Sequence, residues 1–436
     1  MPDPANPPPG AQPLAAAAER RRTLQAAACF FLLLAGYYVL RPVREEMGIQ
    51  GGVDQLQWLY TGTFVSILAV VPLLSWLVAR LRRRAAVPVI YGLFVVNLVV
   101  FYALMPRVDA QTQVVLARVI YVWISVFNMF AVSLFWALMA DLFSVEGSKR
   151  RFGMIAAGGS AGAIVGPLVT GSLAQYLGPV TLLLVAAGLL SAATAGVMAV
   201  GHAARSQRGH DEPGPLGGSW WEGFVLLIRS PQLLAISGYI VLYTAISTFL
   251  YFEQAHIVKE AVADSGARTS LFAWMDLSSN VLALALQSLA TAALIRRYGV
   301  GLLLLSVPVL SIVGFAALAA APVLSVLIGV QVLRRATNFA FARPAREILF
   351  TGVSPAERYK SKLVIDTVVY RGGDAVSAWA FAGLSGLGLG LGAIAMVGVP
   401  VAVAWAAVAR FLGRRASAAQ PTSIPGGAAR ERPAPK

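Results

Sequence analysis

The sequence is poor in most of what a soluble catalytic domain uses. Charged side chains make up only 13% of its 436 residues. There is one cysteine, Cys29, so no disulfide can close within the chain. The three histidines, His202, His210 and His256, are far apart in sequence and give no converging ligand set, so neither a metal nor a cofactor is expected. No Ser-His-Asp, Cys-His or paired-carboxylate arrangement is visible, and no enzymatic activity is expected. Acids are scarcer than bases, 20 against 35, for a net charge of +15. No basic stripe with interleaved aromatics lies outside the apolar runs, which argues against a nucleic-acid partner.

What fills the chain is apolar. Hydrophobic residues make up 58% and the mean hydropathy is +0.71. Continuous apolar runs of about 20 residues recur, the length of helix that crosses a hydrocarbon core. They do not alternate in short units, which excludes a β-barrel. The fold class is all-α: a polytopic membrane protein with twelve transmembrane helices. These fall at roughly 24–46, 56–79, 86–105, 112–140, 152–176, 180–201, 232–254, 268–295, 299–318, 322–343, 361–384 and 389–412.

Residues 1–22 read as a disordered arm with a basic stop at Arg20-Arg21-Arg22, and not as a cleaved signal. A bundle of six helices (23–201) precedes a polar linker (202–231), and a second bundle (232–412) precedes a basic tail (413–436). Of the 35 Lys and Arg, 26 fall on the side that holds the N-terminus and five on the other. The positive-inside bias therefore puts both termini in the cytoplasm, here of a bacterial inner membrane. A monomer is expected.

The two halves echo one another. Phe143-Ser-Val-Glu-Gly-Ser-Lys-Arg-Arg-Phe-Gly153 matches Phe350-Thr-Gly-Val-Ser-Pro-Ala-Glu-Arg-Tyr-Lys360 in position, and Gly158-Gly159 matches Gly372-Gly373. Two parallel six-helix repeats resemble the major facilitator architecture. The acidic residue usual in its loop after the second helix is missing from Ser75-Trp-Leu-Val-Ala-Arg-Leu-Arg-Arg-Arg84. Gly158, Gly162 and Gly166, four apart, read as a close helix contact and not as a phosphate loop, since no Lys-Ser/Thr follows.

Charges kept at membrane depth cost about 2.5–3.5 kcal/mol each on insertion scales, so they mark function. The richest stretch is Phe341 to Asp374, which leaves one apolar helix through a basic turn and enters another. Arg41 and Arg44 lie on the first helix, Arg118 on the fourth, Arg334 and Arg335 on the tenth, and Arg371 on the eleventh. In a major facilitator architecture the first, fourth, seventh and tenth helices line the central cavity. Arginine grips phosphate and carboxylate with a planar fork and stays charged at working pH. These six arginines are the candidate anion site, with Tyr37 and Tyr38 as stacking partners. Adjacent helical residues point about 100° apart, so only one of Arg334 and Arg335 is expected to face the cavity. Glu45, Glu253, Asp276 and Asp374 are expected to pair with the arginines when the site is empty, Asp374 with Arg371 at i+3. Asp141, Lys149, Arg150, Arg346, Glu347, Lys362 and Asp366 are candidate gating residues, swapping ion pairs between states.

Certain stretches also resemble the ATP/ADP translocases of plastids and obligate intracellular bacteria. Tyr38-Val-Leu-Arg-Pro-Val-Arg-Glu45 is similar to their first-helix Leu-Arg-x-x-Lys-Asp. Phe135-Trp136, Asp141, Glu146, Lys149-Arg150 and Phe152 resemble a second signature. Glu253 with Lys259, and Pro344-Ala-Arg-Glu347 with Glu357, Lys362 and Ile365-Asp366, resemble two more. The resemblance implies nucleotide recognition through Arg44, Glu253 and the basic groups of the tenth and eleventh helices. The sequence departs from the pattern at Ala140, where the family has Asn, at Arg44 and Arg346, where it has Lys, and around Arg371-Gly-Gly-Asp374.

The expected function is secondary transport of an anionic solute by alternating access, with nucleotide exchange of the ATP/ADP type foremost. The partners are then a small anionic substrate and the lipid bilayer. Two alternatives stand beside it: a proton-coupled carrier of another organic anion or drug, and a non-transporting membrane sensor or assembly protein.

Overall fold

The computed structural model describes residues 11–80, 83–143, 145–204, 220–350, 353, 357, 361–362 and 364–419. They form an all-helical bundle. Seven stretches are long and apolar enough to cross a membrane, and two of these are hairpins joined by a glycine. In the stretch Val145–Ala204 the break is Gly178, whose φ of 72° only glycine adopts freely, followed by Pro179. Gly299 makes the matching break before the ninth helix.

With those breaks the described residues give twelve long helical segments in chain order. They are Ala11–Gln50, Leu56–Arg80, Arg83–Leu104, Ala110–Leu142, 145–177, 179–204, Pro231–Ala261, 265–298, 300–320, 324–349, 364–386 and Leu391–Ala419. With twelve crossings, the first helix starts and the last helix ends on one side of the bundle, called here the terminal side; the other is the distal side. The first helix already starts at Ala11, within the stretch expected as a disordered arm, because Leu14 to Ala18 is a run of strong helix formers. The last helix likewise runs on to Ala419. Within the expected linker, Trp220–Arg229 forms a short amphipathic helix; residues 205–219 are outside those described.

The first and fifth helices cross at Gly162, where a Cβ would stand 2.3 Å from the Phe31 carbonyl oxygen. Gly158 and Gly166 meet the carbonyls of Ala27 and Ala35 along the same face, the close contact that the four-residue spacing implies. Aromatic packing fixes each half. Trp123 stacks on Phe127 beside Phe94, and Tyr239 and Tyr243 pack edge-on against Trp405. Large apolar side chains such as Val96, Val313, Val376 and Met396 face outward, where a bilayer would cover them.

Among the described residues, the closest polar contacts between the halves lie from the distal side toward mid-depth. Arg268 of the eighth helix grips Glu46 of the first with two bonds, Nε to Oε2 at 2.7 Å and NH2 to Oε1 at 2.6 Å. Ser270 donates to the Gly171 carbonyl, and Asn280 to the Ala163 carbonyl. Trp58 and Trp379 pack edge to face, and the Trp379 indole donates to Thr61.

Candidate functional site

A cavity of 1060 Å³ lies between the halves. The first, second, fourth, seventh, tenth and eleventh helices supply most of its wall. It is closed distally by the contacts just described. Toward the terminal side it is wetter: Glu347 there has a side chain 55% exposed, whereas Glu45 near the closed end has 4%.

Three single π-helical turns break the wall: Gln287–Thr291, Asn338–Ala342 and Ile365–Val369. Each contributes lining residues, Gln287, Asn338 with Phe339, and Asp366. Such turns widen the helix by one residue and are frequent at functional sites.

Most of the candidate anion site comes together here. Arg41, Arg44, Arg334, Arg335, Arg371, Tyr37 and Tyr38 all line the cavity. Arg41 reaches Asp276 at 3.4 Å and Arg335 reaches the same carboxylate at 2.6 Å, so one acid on the eighth helix holds two guanidiniums from opposite halves. Arg44 bonds Glu45 at 2.6 Å and lies 5.3 Å from the Tyr121 ring. Arg371 pairs with Asp374 at 3.4 Å. Tyr37 and Tyr38 pack edge to face, and Arg41 lies 5.8 Å from the Tyr38 ring.

Three expectations need correction. Both Arg334 and Arg335 line the cavity, not one. The inward arc of the tenth helix is centred between them, so each sits about 50° off centre and reaches in with its long side chain. Arg334 donates to Ser247 at 2.9 Å. Arg118 is not part of the cavity wall. It lies one turn distal of the lining residue Tyr121, and its Nε donates to the Gly51 carbonyl at 2.7 Å, capping the end of the first helix. Glu253 pairs with no arginine. It lies two residues, about 200°, around the seventh helix from the lining residue Tyr251 and so points away. It is 1% exposed and neither carboxylate oxygen has a hydrogen-bond partner.

Of the gating candidates, Arg346, Glu347, Lys362 and Asp366 line the terminal-side end of the cavity. Lys362 bonds Glu347 at 2.5 Å across the turn that joins the tenth and eleventh helices. The side chains of Asp141, Lys149 and Arg150, and most of the turn at 351–360, are outside those described.

Sequence reasoning missed five lining tyrosines, Tyr60, Tyr121, Tyr243, Tyr251 and Tyr370, and the further cation Arg343. It also missed the Arg268–Glu46 pair, whose partners are 222 residues apart. A tyrosine on a helix reads as packing unless its face is known, so nothing in the sequence marked these.

The chain matches the family model of the Major Facilitator Superfamily over residues 26–257, and it belongs to that superfamily. It is thus a multi-pass membrane transporter that works by alternating access of a small molecule to the two sides. Solved structures with the same fold include the nucleoside transporter NupG, with a TM-score of 0.60 and 14% identity over 91% of this chain and 98% of that one. The POT family transporter PepTSo gives 0.64 and 12%, over 92% and 99%. A bacterial homologue of the iron transporter ferroportin, in an inward-facing state, gives 0.65 and 13%, over 91% and 98%. At these identities the likeness is one of fold alone. No curated protein matches the sequence.

Proposed function

We propose that this transporter carries an anionic solute, with phosphorylated nucleotides exchanged in the ATP/ADP manner foremost. The observation that supports this is the charge of the cavity wall. Eight cationic side chains (Arg41, Arg44, Arg334, Arg335, Arg343, Arg346, Lys362 and Arg371) face four carboxylates, or five with Asp276 behind them. Burying cations without matching anions is costly, and a multiply charged anion offsets that cost. The cavity volume suits a nucleotide, since small-molecule pockets run to about 1,000 Å³. The termini are placed in the cytoplasm of a bacterial inner membrane, as the Lys and Arg bias argues. With the distal side closed, the described state is then inward-facing.

The test is counterflow. Vesicles of purified protein are loaded with ADP, and labelled ATP is added outside with no ion gradient. Uptake that needs internal ADP supports nucleotide exchange. Absence of uptake with every nucleotide pair sinks it. Glu253 gives the proton-coupled alternative its one foothold, as a buried carboxyl group hydrogen-bonded to nothing. Uptake driven by a pH gradient alone, and lost in Glu253→Gln, would favour that reading.

A further inference from the structure

The cavity is not uniform along its length, and the difference bears on how a ligand lies in it. This inference rests on the reading of the cavity as an anion site and extends it to the rest of the ligand. At the closed distal end three tyrosines from three helices come together. The Tyr60 and Tyr251 rings are 5.6 Å apart across the seam between the halves. The Tyr121 ring and the Tyr251 hydroxyl flank Gly48, each 3.2 Å from where its Cβ would be. The one cation among them, Arg44, is already matched by Glu45. This end is therefore aromatic and close to neutral.

The surplus charge lies elsewhere. Among the described residues no carboxylate comes within 4 Å of Arg334, Arg343 or Arg346, and Arg41 and Arg335 share the single carboxylate of Asp276. Arg334 is one turn toward the terminal side from Gln331, and Arg343 is about 18 Å along.

The unpartnered polar atoms sharpen this. Glu45 Oε2 and Gln331 Oε1 are buried acceptors without a donor, and both residues line the cavity near the tyrosines. Gln331 is tied at 2.7 Å to Gln254, which is one turn from Tyr251 on the seventh helix. The Thr63 hydroxyl, one turn from Tyr60, is also unpartnered, and so are Arg44 Nε beside Tyr121 and Arg334 Nε. Buried polar groups normally have partners. A ligand that satisfied these would present N–H donors together with an acceptor at the distal end, as a heterocyclic base does, and anionic oxygens at Arg334. Inorganic polyphosphate supplies only the second.

We infer that the cavity is polarised, with a flat ring bearing N–H donors in the tyrosine box at the closed end and phosphates against Arg334, Arg335 and Arg343 toward the terminal side. The ligand enters ring first. Tyr60, Glu45 and Gln331 are then the residues that set specificity, and the arginines supply affinity for any polyphosphate.

Equilibrium binding to the purified full-length protein tests this, with ATP and tripolyphosphate as probes. Wild-type protein should hold ATP about tenfold or more tighter than tripolyphosphate, the order of gain that stacking on an aromatic side chain brings. Tyr60→Leu should erase that advantage and leave tripolyphosphate unchanged, and Tyr60→Phe should keep it. Arg334→Gln should weaken both probes. Equal wild-type affinity for the two probes would overturn the inference while leaving the anion site standing, and this comparison needs no variant. Equal weakening of both by Tyr60→Leu would overturn it as well. If neither probe binds, the nucleotide reading itself fails and the inference falls with it.

Discussion

The Arg268–Glu46 pair offers the most direct handle on the transport cycle. The Glu46 side chain is fully buried and that of Arg268 is 11% exposed. Besides its two bonds to Glu46, Arg268 donates from NH1 to the Val262 and Ala263 carbonyls, at 3.0 and 2.8 Å. It thus ties the first helix, in one half, to the seventh-to-eighth turn in the other. In Arg268→Ala, Glu46 keeps only its bond from Gln50 at 3.0 Å. Removing one partner of a buried ion pair costs about 3–5 kcal/mol, mainly as an unmatched buried charge. That cost falls on the distally closed state. Once the halves part on that side, Glu46 meets water and most of the cost vanishes. At about 1.4 kcal/mol per decade, the equilibrium should shift toward the distally open state by about a hundredfold or more. A reporter is available at Ser270, which is buried in the same seam. With Cys29 replaced by alanine and Ser270→Cys introduced, maleimide labelling in detergent should accelerate about a hundredfold in Arg268→Ala. Adding Glu46→Ala should reverse most of that acceleration, because no charge is then stranded. An unchanged labelling rate in folded Arg268→Ala protein would refute the role of this pair as a latch.

Other outcomes follow from the same geometry. Arg371→Ala should abolish transport while surface expression stays intact; wild-type-like transport would remove Arg371 from the site. Gly162→Val puts side-chain atoms into the Phe31 carbonyl within one half, so it should reduce the yield of folded protein and not merely its transport rate, as size-exclusion chromatography would show. Arg118→Leu loses a charge-assisted bond to Gly51 worth about 1.5–3 kcal/mol, so it should lower the melting temperature while the KM of transport stays within about twofold. Asp109 caps the fourth helix through the Gln111 and Thr112 amides and the Thr112 hydroxyl. These bonds hold its carboxyl below the ordinary carboxylate value. The cap therefore contributes stability above the pKa of the unfolded carboxyl, about 3.9, and loses it as pH falls through the lower folded value. Asp109→Ala should lower the melting temperature slightly at pH 7, and by less as the pH falls below the ordinary carboxylate value.

The helices were legible because a bilayer demands long apolar runs, and that demand is written residue by residue. The Gly158-Gly162-Gly166 spacing was legible for a similar reason, since it is periodic along one helix and needs no partner to be recognised. Arg41, Arg44 and Arg371 stood out because a charge in an apolar run is costly and conspicuous. The errors had a common cause. Arg118, Glu253 and the Arg334–Arg335 pair were each assigned to the right helix, and that assignment follows from the apolar runs along the chain. Which way each side chain points depends on how that helix is rotated against its neighbours. That rotation is set by side-chain packing across the bundle and leaves no periodic mark of its own.

The sequence by itself therefore determined the class of the protein, its helices, and which of them carry charges of which sign. These follow from hydropathy, spacing and the cost of a charge in lipid, all of which are local. Only the tertiary structure decided that Asp276 holds Arg41 and Arg335 together, that Arg268 latches onto Glu46, and that three tyrosines from three helices close one end of the cavity. Those are contacts between residues some 60 to 240 positions apart, and most of them exist only because two six-helix halves pack face to face.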